Sequence, residues 1–447
     1  MKKLTGLDVY KLLPRTNCGD CGFSTCMAFA MQVAAKRVAL DQCPHVSEAA
    51  KEALGEAQAP PMRTVYIGQG ARAIAVGGET VLFRHEEKFH RPCAIGITVQ
   101  DDLPEEELAR RVREITDLRF VRIGQEIGVN LVAVEHRSGD FQKALKIVRE
   151  NTDLPLLLIC EQPETMAQAL ETVKDTRPVV YPATPENWKD MATLAKEHGC
   201  VLGVRANGVE GLSELTPKIR ELGVEDLLLD PGTSGFFETL SALVRLRRLA
   251  LKKVFRPVGY PTLAFAQGED LFDLAAQGTT FICKYAQVVI LPKATPELLL
   301  ALLTVRQNIY TDPQVPLAIE AKVYEVGRPG PDSPVLVTTN FALTYFTVEG
   351  EVERSKVPAY IAVIDTGGLG VLNAYADDRF TAEKIVKALR EYGIMEKVRH
   401  KKLIIPGLVA QLKAEIEEES GWEVIVGPED AAGIPAFLRQ HYTSEGG

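Results

Sequence analysis

Four cysteines stand close together near the start of the chain: Cys18-x2-Cys21-x4-Cys26 and, after sixteen intervening residues, Cys43 followed by Pro44. Thiolates are soft ligands that suit both zinc and iron–sulfur clusters. Structural zinc usually draws on two separated cysteine pairs. Here a compact triad meets one remote cysteine, which suits a cubane of four irons better. Gly19 and Gly22 can turn the loop so that the sulfur atoms approach from several directions. The expectation is a [4Fe–4S] cluster on Cys18, Cys21, Cys26 and Cys43, with zinc or four unligated thiols as alternatives. Cys93, Cys160, Cys200 and Cys283 lie singly beside apolar runs and read as buried small hydrophobes. His45, next to the last cysteine of the set, reads as a surface residue.

The far end of the chain offers small residues in place of reactive ones. Thr338-Thr339-Asn340, Thr366-Gly367-Gly368-Leu369-Gly370, Pro406-Gly407, Gly427-Pro428 and Ala431-Ala432-Gly433-Ile434-Pro435 each follow a candidate strand. Strand ends built this way let a backbone approach a large flat ligand closely. They would hold a cofactor by shape and by backbone N–H groups, and the cofactor would supply the chemistry. No GxGxxG fingerprint is present, so a dinucleotide is a poor fit. In the middle of the chain, Glu135, His136, Glu161, Arg205, Asn207, Asp230 and Lys284 stand at candidate strand ends. They show no paired-carboxylate, metal-triad or Ser/His/Asp spacing. They read as solvated or interface residues, a small-molecule site near residues 230–234 being left open. No residue is assigned a catalytic role.

The elements that must position these groups fall into three blocks, expected at 1–57, 58–326 and 327–447. In the first, a helix from Leu7 to Leu13 ends before Pro14, and Ser24 is placed to cap a helix over 25–40 that carries Cys26 in its first turn. A linker, Glu56 to Pro61, follows. Residues 63–92 read as a β-ribbon of TVYIG, ARAIAV and ETVLF with Gly77-Gly78 as a hairpin turn. From Cys93, eight short apolar strands (93–99, 130–135, 155–160, 178–183, 200–206, 226–230, 258–264 and 287–292) alternate with amphipathic helices. Such alternation predicts a (β/α)8 barrel, a doubly wound sheet being the alternative. Gly327 to Pro334 carries three prolines and two glycines and reads as a second linker. PVLVTTN, YIAVIDT, KKLIIPG and WEVIVG then predict the strands of a Rossmann-like or flavodoxin-like α/β domain, whose ligands sit beyond the carboxyl ends of the strands.

A length of 447 residues is too long for a single core, and a net charge of -9 argues against nucleic acid as a partner. No apolar run reaches ~18 residues, so no membrane span is expected. The first residues lack a long apolar stretch and a small-residue cleavage site, so a cytoplasmic location is expected.

Taken together, NCGDCGFSTCMAFA, the later DQCP and the order of the three blocks resemble, over the whole chain, the large subunits of corrinoid iron–sulfur proteins. These are the methyl carriers of the reductive acetyl-CoA pathway. The resemblance implies that the four cysteines bind a [4Fe–4S] cluster. It also implies that the C-terminal domain binds a cobamide through Thr338, Thr339, Asn340, Thr344, Gly367, Gly368, Leu369, Gly370, Val371, Leu372, Pro406, Gly407, Ala432 and Gly433. Many corrinoid domains ligate cobalt with the histidine of a DxHxxG motif. This chain has none, and His400 and His441 lack the context, so a base-off corrinoid with no protein histidine on cobalt is implied. The implied cycle runs between Co(I) and methyl-Co(III). Methyl arrives from methyltetrahydrofolate through a separate methyltransferase and leaves to acetyl-CoA synthase/carbon monoxide dehydrogenase, while the cluster rescues Co(II). A small barrel-shaped subunit completes a heterodimer, making this chain a carrier within a methyltransferase system. Two other classes stay open: a barrel that is itself a pterin-dependent methyltransferase, and a ferredoxin-like electron-transfer subunit.

Overall fold

The computed structural model describes residues 5–34, 38, 40–47 and 60–442. Residues 56–59 of the expected first linker, residues 35–37 and 39 of the expected second helix, and the boundary at 57 lie outside the described residues. By its internal contacts the chain divides into two compact units. One comprises residues 1–119 and 128–310, the other 120–127 and 311–447.

The first unit begins with helix Gly6–Leu12, whose amino end is closed by a reciprocal pair, Thr5 on the Asp8 amide and Asp8 on the Thr5 amide. The next helix is Cys26–Ala34. Its cap is Thr25, whose hydroxyl accepts the Ala28 amide at 3.1 Å, and not the expected Ser24. The bend of the cysteine loop needs positive φ at Gly19 and Gly22, both +82°, so the chain turns one residue later than a cap at Ser24 requires. Val9, Leu13, Phe29, Ala30, Val33 and Val46 pack together and bury Cys21, Cys26 and Cys43 among them.

Strands β1 (Thr64–Ile67) and β2 (Ile74–Gly77) form an antiparallel hairpin. Its turn is residues 68–73, not the expected Gly77-Gly78, and ETVLF is no strand. Gly77 instead ends β2, with its φ of +79° turning the chain away. The strands β3 (Ala94–Gln100), β4 (Arg119–Arg122), β5 (Gln125–Gly128), β6 (Leu131–Glu135), β7 (Leu156–Ile159), β8 (Val179–Ala183), β9 (Val201–Arg205), β10 (Leu227–Asp230), β11 (Leu263–Phe265) and β12 (Val288–Leu291) follow. Eight of them make one parallel sheet in the order β10-β9-β8-β7-β6-β3-β12-β11. A parallel bridge from Leu229 to Thr262 and a hydrogen bond from the Leu229 amide to Pro261 O (2.9 Å) join its two edges, so the sheet closes as a barrel. Seven of the eight expected strands lie within one residue of their expected bounds; the one expected at 258–264 is only Leu263–Phe265, with a 3-10 turn at Arg256–Val258 before it, and the β4–β5 hairpin was not expected.

The strands are buried on both faces, as parallel strands flanked by helices must be. Val65, Ile67 and Val76 of the β1–β2 hairpin share a core with Ala94, Leu131, Leu157, Val179, Val201, Leu228, Leu263 and Val288. These partners come from the beginnings of the barrel strands, so the hairpin plugs the amino-terminal end. The carboxyl end stays free for a site.

In the second unit β13 (Val323–Val326), β14 (Val335–Thr339), β15 (Ala359–Ile364), β16 (Lys402–Ile405) and β17 (Glu423–Val426) form a sheet in the order β13-β15-β14-β16-β17. β13 runs antiparallel to β15, and the other pairings are parallel. The expected boundary at 326/327 therefore falls inside this unit. The stretch Gly327 to Pro334 is a connection within the sheet and not a free linker. Pro331 O accepts the Arg399 amide (2.8 Å), and Pro334 O accepts the Tyr360 amide (2.9 Å). Separate apolar clusters cover the two faces of the sheet, one around Phe380, Ile385 and Leu389, the other around Tyr345, Val352 and Leu438.

Candidate functional site

At the amino end, Cys21, Cys26 and Cys43 are each about 5–6 % exposed and lie in one core, whereas Cys18 stands exposed at its edge. None of the eight cysteines is in a disulfide. The Cys26 sulfur accepts the Asn17 amide at 3.4 Å, and the Asn17 side-chain oxygen in turn accepts the Cys26 amide at 2.8 Å. Gln42 ties the Cys43 segment to the loop through Cys21 O at 3.0 Å. An N–H aimed at sulfur is a contact that a cluster-ligating cysteine can keep. Free thiols gathered this way, without histidine in the buried set, fit an iron–sulfur cluster. His45 is exposed as expected and binds Asp20 at 2.6 Å.

In the second unit the parallel strands follow the spatial order β15-β14-β16-β17, so the direction of winding reverses between β14 and β16. That reversal is where ligands settle in open α/β sheets. β14 is registered with β15 along its whole length but with β16 only at Leu336 and Ile404. Where the strands part, a slot of about 540 Å3 opens, walled by Leu336, Val337 and Thr338 on one side and Ile404, Ile405 and Pro406 on the other. Helix Ala342–Ser355 contributes Leu343, Thr344, Thr347 and Val348, and the last helix, Ile434–Tyr442, contributes Ile434 and Phe437.

Of the expected cofactor-binding residues, Thr338, Thr344, Gly370, Val371, Leu372 and Pro406 line this slot. Thr339, Asn340, Gly367, Gly368, Leu369, Gly407, Ala432 and Gly433 are not among its lining residues, although Ala431, Gly427 and Pro428 are. Gly407 serves backbone packing, since a Cβ there would lie 2.6 Å from Gly427 O. Sequence reasoning missed Thr347 and Val348, which the one-turn spacing from Thr344 could have supplied, and Leu343. It named the loop that holds Ile434 but missed Phe437.

The slot is built for a large ligand. Its walls are apolar, yet the hydroxyl of Thr338 is buried with no partner among the described residues, a costly arrangement that a polar ligand atom would relieve. Leu343 and Leu372 at the rim are about half exposed. No histidine lines the slot. His400 is occupied elsewhere, by Ser333 O at 2.8 Å and the Lys402 amide, and His441 lies against Phe437.

The barrel's carboxyl end holds a second cavity of about 570 Å3, lined by Glu135, Arg205 and Asp230 among others. Tyr181 donates to Asp230 at 2.5 Å, and the Gly232 amide binds its other oxygen. Burial pushes the Asp230 carboxyl up, against the pull of Tyr181, Gly232 and Arg205. Gly203 makes room for the Tyr181 ring, since a Cβ there would stand 2.7 Å from it. Glu161 is paired to Arg205. His136 holds Asp101 at 2.5 Å. Lys284 ends helix Leu271–Cys283 before β12, at the opposite end from the mouth where it was expected.

An α/β chain that has a cysteine-rich module, a closed barrel and a sheet with an apolar slot at its winding reversal is built as a cofactor-binding protein. Comparisons with known proteins agree. Residues 64–438 match the family described as "CO dehydrogenase/acetyl-CoA synthase delta subunit", and residues 13–45 the family described as "Putative Fe-S cluster". The chain is 46% identical over 444 residues to the corrinoid/iron-sulfur protein large subunit of Moorella thermoacetica, covering 99% of this chain and 100% of that one. It is 39% identical over 457 residues to the acetyl-CoA decarbonylase/synthase complex subunit gamma of Methanopyrus kandleri, covering 98% of each. Among solved structures, dihydropteroate synthase of Thermus thermophilus covers 56% of this chain and 100% of its own at 18% identity and a TM-score of 0.40.

The chain belongs to the family of corrinoid/iron–sulfur protein large subunits and their archaeal gamma-subunit counterparts. Its cofactors are an iron–sulfur cluster and a corrinoid. Among the described residues no helix is long and apolar enough to cross a membrane.

Proposed function

We propose that this chain is a methyl carrier in which the slot between β14 and β16 holds a cobamide and Cys18, Cys21, Cys26 and Cys43 hold a [4Fe–4S] cluster. The observation that carries the reading is the slot itself: apolar, sited at the winding reversal, with the buried Thr338 hydroxyl left unpartnered. In this reading the second unit is a Rossmann-like corrinoid domain. Leu343, Thr344, Thr347 and Val348 would form one wall for the ligand, and Gly370 to Leu372 would line the slot beside it. When bound, the cobamide supplies a cobalt that accepts and releases a methyl group, and the cluster supplies the electron that restores oxidised cobalt. The absence of histidine among the lining residues supports a corrinoid without a protein nitrogen on its metal. Methyl would come from methyltetrahydrofolate through a methyltransferase and pass to acetyl-CoA synthase. A small corrinoid iron–sulfur protein subunit would be the constant partner, in the cytoplasm.

The deciding experiment is metal analysis after anaerobic reconstitution with a cobamide. The expected content is about one cobalt and about four irons per chain. A chain that takes up iron but no cobalt would end the carrier reading in favour of a plain electron-transfer subunit. Binding of methyltetrahydrofolate by the isolated chain would favour a self-sufficient methyltransferase acting from the barrel mouth.

A further inference from the structure

Asn340, named above among the expected cofactor contacts, does something else. It follows the last residue of β14, is about 5 % exposed and is absent from the lining of the slot. Its side-chain oxygen accepts the Thr366 amide (3.0 Å) and the Gly368 amide (2.9 Å) and lies 3.0 Å from the Thr366 hydroxyl, whose single proton also has Leu369 O within 2.9 Å. A carbonyl oxygen has two lone pairs, so this one has nothing left for a ligand. The amide nitrogen donates to Asp365 Oδ1 at 3.0 Å, and the same carboxylate oxygen accepts the Gly367 amide at 3.0 Å. The main chain of Asn340 is held as well, its N–H by Ile364 O and its carbonyl by the Ile319 amide, both at 2.9 Å.

These bonds fix a loop that would otherwise be loose. Gly367 and Gly368 have φ of +68° and +77°, and two successive glycines lose more backbone freedom on ordering than other residues. Past them, Gly370 caps the short helix Val371–Ala376, and Gly370, Val371, Leu372 and Asn373 do line the slot. One buried side chain on β14 therefore sets where the neighbouring strand's loop presents its edge.

We propose that Asn340 is a positioning residue for cobamide binding: it touches no part of the cofactor and acts by holding residues 366–369 in the shape that places Gly370 to Asn373 at the slot. The role rests on the cobamide reading above, while the loop's order can be measured without any cofactor. Its expected consequence is that loop order and cofactor affinity rise and fall together.

The test uses the full chain and three variants. Asn340→Ala removes all the acceptor bonds. Asn340→Asp/Asp365→Ala keeps the acceptor oxygen and removes the carboxylate that a lone aspartate would face. Asp365→Ala alone is the control for the lost Asp365 bonds. Two quantities are read: hydrogen-exchange protection of the Thr366 and Gly368 amides in cofactor-free protein, and the cobamide dissociation constant by absorbance titration. Asn340→Ala should weaken both protection and affinity by roughly 10- to 100-fold, the scale of one or two buried hydrogen bonds. The double variant should return both to the level of Asp365→Ala. Weaker cobamide binding with unchanged loop protection would mean direct contact and overturn the proposal, as would lost protection with unchanged binding. If Asn340→Ala does not fold, the double variant against Asp365→Ala decides alone, because equal values support the acceptor role and unequal ones refute it. A wild-type chain that takes up no cobamide sinks the cofactor reading and this role with it. Because loop protection is read without cofactor, that outcome is told apart from a failure of the positioning argument.

Discussion

Leu336 of β14 and Ile404 of β16 form the one registered pair between those strands among the described residues, and beyond it the sheet opens. The opening leaves the Thr338 hydroxyl buried and unpartnered. Thr338→Val keeps the shape and removes that oxygen. The cofactor-free protein should gain about 1 kcal/mol in the second unit, the scale of an unsatisfied buried polar group. Cobamide affinity should fall at the same time. Urea titration of the cofactor-free chain and absorbance titration of cobamide measure the two effects. An unchanged dissociation constant would show that this hydroxyl faces no part of the ligand.

Cys21 is buried with Cys26 and Cys43, and its carbonyl holds Gln42. Cys21→Ser conserves size and breaks the soft-ligand set. Iron content should fall well below that of the wild type, and the visible absorption of the cluster should be lost with it. Cobamide uptake should persist, since the slot belongs to the other compact unit. Methyl transfer from pre-reduced protein should survive while reductive reactivation is abolished. Equal loss of both steps would assign the cluster a structural part instead.

How much of this was legible beforehand follows from what each signal measures. The eight barrel strands and β14 to β16 were readable because each is a short, mostly buried apolar run bounded by turn residues; β17 was readable as an apolar run although it is only partly buried. The β4–β5 hairpin was not, because RFVR and QEIG are polar and half exposed, with only Ile127 buried. β13 was missed for a related reason: VYEV is an edge strand covered on one side only. The proline-rich 327–334 stretch looked like a linker by composition, yet its carbonyls are taken by Arg399 and Tyr360, which no local pattern discloses. The cysteine set depends on spacing in sequence, and three of its four members do lie in one core. The slot depends on two strands parting, which only the pairing shows. Asn340 was named as part of the Thr338-Thr339-Asn340 strand end, and its side-chain partners lie some 26 residues away, which no local pattern discloses.

The hairpin that plugs the barrel gives a test of the fold. Ile67 is fully buried in the barrel's core, whereas Tyr66, its neighbour on the opposite face, is 50% exposed. Ile67→Ala should cost about 2–5 kcal/mol through lost burial and the cavity left behind. Tyr66→Ala should stay within about 0.5 kcal/mol. Thermal unfolding of the barrel would compare them. Similar shifts for both would mean that the hairpin lies on the barrel without filling it.

Asp101 gives the pH test. Burial pushes its carboxyl up, but the Arg137 amide, His136 and the Gly139 amide together pull harder, and the folded value lies below the ordinary one. The Arg137 and Gly139 amides approach one carboxylate oxygen at 2.9 and 3.2 Å, and His136 binds the other at 2.5 Å. A depressed acid pKa favours the folded state above the unfolded value, about 3.9, and that advantage fades as pH falls through the folded value. Asp101→Asn should therefore destabilise the first unit at pH 7 by about 1–2 kcal/mol, the scale of charge-assisted hydrogen bonds. The gap between wild type and variant should narrow below about pH 4, as the wild-type carboxylate is protonated. Stability curves measured against pH would show this convergence. Parallel curves down to the acid limit would mean that the amides, and not the charge they stabilise, carry the contribution of Asp101.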